Sequence, residues 1–423
     1  MQEKLLHFIW QNLLFNLDQL KTTDLQPVQI HHKGTLNVHA GPDFTNAKIT
    51  IDNTLWVGDV EIHIQSGDWH SHGHTKDRAY DATILHVCWN EDNCIYRTDG
   101  TKIPCLTLSN RVAPNVLNNY EQLMSPSTNI PCKKRIDEID NFTWKIWLQR
   151  LAIERLESKT IKIDEQLKIS SYDWQTVFYV SFAKSMGLKI NAQPFEQLAH
   201  FLPQKIVSKH MDHLFQIEAL TFGVAGFLND EFTDDYGLNL QKEYRFLKKK
   251  YPLQELHKSD WKFLRLMPAN FPTLRLAQFS ALMHQSTNLF KKMMYEFELK
   301  KLMAFLKTSP SPYWETHYRF EEPSSKKLKP LGTNAIQSIL INTIVPIKFA
   351  YGKHIENSLL QQNAFDILEK LGAENNAIIQ VWKNLGLEVK NSLQSQAFLQ
   401  LKNEYCNSKR CLHCSIGYKL LKK

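Results

Sequence analysis

The chain has 423 residues, 43% hydrophobic and 22% charged, with a formal net charge of +8. That length predicts roughly two or three globular domains, and no apolar run is long enough to cross a membrane. The N-terminus, MQEKLLHFIWQNLLF, reads as an amphipathic helix without a cleavage site, so a cytoplasmic protein with reduced cysteines is expected, and the positive charge favours nucleic acid as partner.

Residues 1–20 are predicted helical, with Leu5, Phe8, Ile9, Leu13 and Phe15 near helical spacing. From about 27 to 110 the pattern alternates as strands do, over 28–32, 47–51, 55–64, 83–89, 94–97 and 103–108. Asp52-Asn53 and Asp99-Gly100 mark tight turns. Beyond about 135 the apolar spacing is helical, punctuated by Pro268, Pro272, Pro310 and Pro312. The reading is an α+β chain: a mixed-sheet domain over 1–132, an all-α region over 133–405, and a cysteine-rich motif over 406–423.

In the first hairpin, strand parity puts Glu61 and His63 on one face and Val60, Ile62 and Ile64 on the other. Asp43 and Glu61 each stand nine residues from Asp52, so antiparallel pairing brings them side by side. Adjacent carboxylates repel unless a cation lies between them, and Mg²⁺ (or Mn²⁺) is the expected occupant. Such an ion can supply hydroxide and stabilise a phosphoryl transition state.

The next stretch, Asp68 to Asp77, carries His70, His72 and His74 at alternate positions, a pattern that also suits zinc. It is expected to form a polar loop with His72, His74 and Asp77 lining the cleft of Glu61, and His86 is a buried histidine within reach. Further on, Arg265 and Arg275 flank Pro268 and Pro272 and are candidates for phosphate contact. Cys406-x4-Cys411-x2-Cys414 at the C-terminus predicts a metal site, zinc or iron–sulfur. Cys132 is the expected fourth ligand, with His413 the local alternative, while Cys88, Cys94 and Cys105 read as buried small apolar residues.

The Pro42-Asp43 and Glu61-Ile62-His63 motifs resemble those of the PD-(D/E)XK nuclease-like phosphodiesterase superfamily. The resemblance implies a restriction-endonuclease-like sheet domain, with Asp43, Glu61 and the Ile62 carbonyl as Mg²⁺ ligands. Glu3 on the first helix would complete the site. His63 occupies the position of the superfamily's lysine, which orients the attacking water. Gly41-Pro42-Asp43-Phe44, Val60-Glu61-Ile62-His63, His72-Gly73-His74, the Pro-Ala-Asn-Phe-Pro-Thr segment and the terminal cysteines together resemble a bacterial domain-of-unknown-function family over nearly the whole chain. The leading expectation is a Mg²⁺-dependent nuclease. The alternatives are a non-catalytic nucleic-acid-binding or scaffold protein on a degenerate nuclease fold, and a zinc hydrolase built on His70, His72 and His74.

Overall fold

A computed structural model describes residues 2–125, 129–286 and 288–423. The fold is α+β, in two compact units: Met1–Trp147 with Leu401–Lys423, and Leu148–Gln400. The sequence places a boundary at 132 and a separate motif from 406. In the structure the boundary falls inside the helix Asn141–Ile169, and the C-terminal segment returns to the first unit. The reason is apolar burial: the helix Ser415–Lys422 sinks Ile416, Leu420 and Leu421 there, and Tyr418 meets Phe8 edge-on.

The first unit opens with helix α1 (Glu3–Asn12), shorter than the predicted 1–20, whose Met1 lies outside the described residues. Leu13 ends it in the left-handed region (φ 48°), with the Leu13 and Leu14 N–H groups closing onto Trp10 and Ile9 carbonyls. The chain turns there because Trp10 stacks on Phe15 and donates its indole N–H to the Lys33 carbonyl.

Five strands then follow: β1 (Val28–His32), β2 (Thr35–Leu36), β3 (Phe44–Ile51), β4 (Thr54–Gln65) and β5 (Thr83–Asn90), with β6 (Cys105–Thr107) after them. The sheet order is β1-β3-β4-β5-β6, with β2 on β3. β1, β3 and β4 pair antiparallel, whereas β4, β5 and β6 run parallel. Asp52 and Asn53, both at positive φ, form the two-residue turn between β3 and β4. Gly58 lets the chain before β5 come close: a Cβ there would sit 2.4 Å from the Ala82 carbonyl oxygen. The predicted strand at 94–97 reduces to one bridge, Tyr96 to Lys102. Cys94 is exposed rather than buried, while Cys88 and Cys105 bury their sulfurs 3.3 Å apart.

The second unit is helical around a core rich in Phe178, Phe182, Phe195, Phe222 and Phe279. It also holds a two-stranded ribbon, His317–Arg319 with Glu322–Pro323, which its short, polar sequence did not announce. No helix among the described residues is long and apolar enough to cross a membrane.

Candidate metal centre

The hairpin brings Asp43 beside Glu61 by a route the sequence does not reveal. The turn is centred between Asp52 and Asn53, a register that runs from Ile51↔Thr54 to Ala47↔Gly58 and would set Asp43 against Ile62. A bulge between Phe44 and Ala47 shifts the pairing to Phe44↔Val60. Asn46 takes the extra residue at φ 59°, and its N–H is held by the Asp59 carboxylate at 3.1 Å. The two acids then clasp each other's backbone. The Asp43 N–H donates to Glu61 Oε2 at 2.9 Å, and the Ile62 N–H donates to Asp43 Oδ2 at 3.0 Å.

Glu61 and His63 are buried, 5% and 1% exposed, because α1 covers one stretch of β4 and the segment after it folds back over the rest. Helix α1 turns Glu3 and His7, one helical turn apart, toward Asp43. His7 Nε2 lies 3.2 Å from Asp43 Oδ2 and 3.7 Å from Glu3 Oε1. It is buried yet makes no aligned hydrogen bond. The parallel register pairs Glu61 with His86 and His63 with Cys88. His86 Nε2 is 2.8 Å from His63 Nδ1, and its Nδ1 is 3.9 Å from the Cys105 sulfur.

The segment after β4 makes a single helical turn, α2 (Asp68–Ser71), then reverses at Gly73 (φ 79°). That reversal brings His72 and His74 beside Glu61 and His63. His72 Nδ1 lies 3.1 Å from His63 Nε2, and His74 Nε2 lies 3.3 Å from Glu61 Oε1. His63 Nε2 is itself 3.6 Å from Glu61 Oε1. Tyr80 stacks on the His74 ring at 3.8 Å, and the buried Trp69 abuts both His74 and His86.

The predicted residues separate. Asp43, Glu61, His63, His72, His74, His86 and Glu3 converge. The Ile62 side chain is in the core. Asp77 instead caps a short 3-10 turn, accepting the Ala79 N–H, although its charge still reaches His74 and Tyr80. His70, named for a zinc site, is exposed and bonded to Thr75, so it does not join His72 and His74. Arg265 is exposed. Arg275 is buried in the second unit, where its guanidinium meets Asn270 and Gln278 and lines a cavity of about 450 Å³ with Lys327 and Lys329. Sequence reading passed over His7 and Tyr80. His7 carried a signal, since it stands four residues after Glu3 on one helix face.

The electrostatics reflect burial among like groups. Burial first, then the Asp43 charge, raise Glu61 to about 8. Burial followed by His86 and His72 lower His63 to about 2, and burial lowers His86 to about 3, so both imidazoles are neutral near pH 7. Burial and the neighbouring acids raise Tyr80 to about 12.

These donors suit a divalent ion. Metal bonds of about 2.0–2.1 Å imply ligand separations of about 3.3–3.4 Å in a tetrahedron. His63 Nε2 lies 3.1 Å from His72 Nδ1 and 3.6 Å from Glu61 Oε1, and His74 Nε2 lies 3.3 Å from Glu61 Oε1; the three imidazoles His63, His72 and His74 form one group that could share an ion, with Glu61 beside it. No curated protein and no solved structure matches the chain. Residues 3–377, which include every cleft residue named here, match the family described as Protein of unknown function (DUF2851), and the chain belongs to that family.

Proposed function

We propose that the first unit is a metal-dependent hydrolase whose substrate is a phosphodiester, with nucleic acid the preferred form. The observation that carries the reading is the cluster of Glu61, His63, His72 and His74 donors beside the Asp43–Glu61 clasp. Three imidazoles shift the expected ion from Mg²⁺, which prefers oxygen, toward Mn²⁺ or Zn²⁺. When bound, the ion supplies Lewis acidity and a hydroxide nucleophile near neutral pH.

The chain's own groups do the rest. Asp43 is anchored by the Ile62 N–H and leaves its second oxygen for the ion or the substrate. His86 sets the His63 tautomer: with His63 Nδ1–H donating to His86 Nε2, the His63 Nε2 lone pair faces the cleft. His86 Nδ1–H then points at the Cys105 sulfur. Tyr80 and Trp69 hold the His74 ring in place. His72 is the most exposed of the three imidazoles, on the solvent side of the donor set. The net charge of +8 supports a polyanionic substrate.

The test is cleavage of plasmid, single-stranded DNA and RNA by the full-length protein with Mn²⁺, Zn²⁺ or Mg²⁺. Divalent-dependent cleavage that disappears in Asp43→Ala and Glu61→Ala is expected. Cleavage indifferent to both substitutions contradicts the reading. The imidazole content favours one second reading, a zinc hydrolase acting on a carbonyl substrate. Ester or amide hydrolysis with zinc, without phosphodiester cleavage under any metal, would select it.

A further inference from the structure

A separate donor set lies in the same unit, far along the chain from the cleft motifs. Cys132 ends the stretch that follows helix α3 (Pro114–Met124), while Cys406, Cys411 and Cys414 come from the returning C-terminal segment. All four are 8–9% exposed, and none is in a disulfide. All four line one cavity, with Leu123, Pro131 and Tyr405 among its apolar walls. His413, the local alternative for fourth ligand, is not among the lining residues.

The backbone around this cavity is fixed. A Cβ on Gly417 would sit 2.1 Å from the Cys411 carbonyl oxygen, so only glycine lets the last helix close over the cysteine loop. Lys409 reaches across to donate to the Met124 and Ser125 carbonyls at 3.0 Å. The thiols also act on one another. Burial, then Cys414 and Cys411, raise Cys132 to about 12, and burial, then Cys414, raises Cys411 to about 12. Four reduced cysteines lining one cavity, at the meeting point of two remote segments, are the ligand types a thiophilic cation takes.

The small cavity favours a single ion over a cluster. Its free space is about 20 Å³, room for about one water-sized sphere. That accommodates one ion. Basic side chains stand near the rim: Lys402 acts on Cys406, Lys409 acts on Cys411, and Arg410 lines the cavity. They offset the charge left when four thiolates surround one divalent ion.

We propose that Cys132, Cys406, Cys411 and Cys414 bind a single zinc ion that fastens the C-terminal segment to the first unit. Binding releases the thiol protons to solvent and forms four zinc–sulfur bonds, with no change of oxidation state. Because the ion crosslinks residues remote in sequence, its loss should free the segment 401–423 before the sheet melts.

The inference does not depend on the cleft, and the readout separates the two sites. Full-length protein is prepared with cobalt in place of zinc, as wild type and as Glu61→Ala. Intense near-ultraviolet sulfur-to-cobalt charge-transfer bands are expected in both, because only thiolate ligands give them. Cys411→Ser and Cys414→Ser are expected to lose those bands. Should these variants fail to fold, the wild-type spectrum together with metal and sulfide analysis decides. A brown protein with iron and acid-labile sulfide overturns the assignment, as does wild-type protein that takes up cobalt without thiolate bands or takes up none.

Discussion

The two units bury polar groups in opposite ways. In the helical unit, two buried lysines are answered by dipoles. Lys348, fully buried, donates to the Glu296 carbonyl and to Asn363 Oδ1, each at 2.7 Å, and Lys329 donates to the carbonyls of Trp314, Glu315 and His317. In the sheet unit, acids and imidazoles are set against one another: half-buried Asp43 beside buried Glu61, and buried His63 between exposed His72 and buried His86. A hydrogen-bonded lysine is complete as it stands. In the cleft, His7 Nε2 is buried without an aligned hydrogen bond, and the proposed cation would draw on the acids and imidazoles around it. The contrast teaches that a buried charge already met by carbonyls has no use for an ion, whereas acids and imidazoles crowded together offer lone pairs to one.

The largest expected effect is on catalysis. Asp43→Ala or Glu61→Ala should lower divalent-dependent cleavage on the order of a hundredfold or more, measured under single-turnover conditions, while Lys348→Met leaves the chemical step unchanged. A comparable loss in Lys348→Met would erase the distinction between the units.

Stability should move the other way. Lys348→Met strands Asn363 Oδ1 and the Glu296 carbonyl and is expected to cost about 1–3 kcal/mol. In chelator, Glu61→Gln should match or exceed wild type in Tm, because it removes a carboxyl that faces Asp43. Thermal melts of the two variants side by side check this, and a large destabilisation by Glu61→Gln would recast the cleft as a structural network.

The pH dependence sharpens the comparison further. Glu61 is raised from 4.5 to about 8 in the metal-free fold, so the folded state holds a proton that the unfolded chain has lost. Metal-free stability from this group therefore declines as pH rises from about 4.5 to about 8. The metal must displace that proton, so its affinity should climb over the same window. Calorimetric titration in buffers of different ionisation enthalpy reads the proton released. Metal binding without proton release below about pH 8 would remove Glu61 from the ligand set.

The smallest effects separate the histidines of one loop. His72→Ala should weaken metal binding about tenfold, and His70→Ala should leave it unchanged, since His70 is exposed and bonded to Thr75. Equal effects of the two would return the site to the simple alternation of the sequence.

Much of this was legible before the structure, though unevenly. Strand parity placed Glu61 and His63 together because a period of two survives in any register. The Asp43–Glu61 pairing was reached by counting from Asp52, but the actual turn centre would have missed by one residue without the bulge at Asn46. Nothing local in Thr45-Asn46 announces that bulge; it is held by Asp59 from the opposite strand. His72 and His74 were named, but alternation grouped them with His70, whereas the reversal at Gly73 and the packing of Trp69 and Tyr80 decide which rings come beside Glu61 and His63. The cysteine spacing was readable, and the company of Cys132 is now visible as one shared cavity. The short helix α1 and the ribbon at 317–323 escaped because tertiary contacts, not periodicity, set their limits.

The most direct measurement is anomalous diffraction from crystals grown with Mn²⁺ or Zn²⁺. The account predicts a peak within bonding distance of His63 Nε2, His72 Nδ1, His74 Nε2 and Glu61 Oε1, close to Asp43. An empty cleft in a crystal whose metal binds elsewhere, or a peak held by surface histidines such as His70, would contradict it.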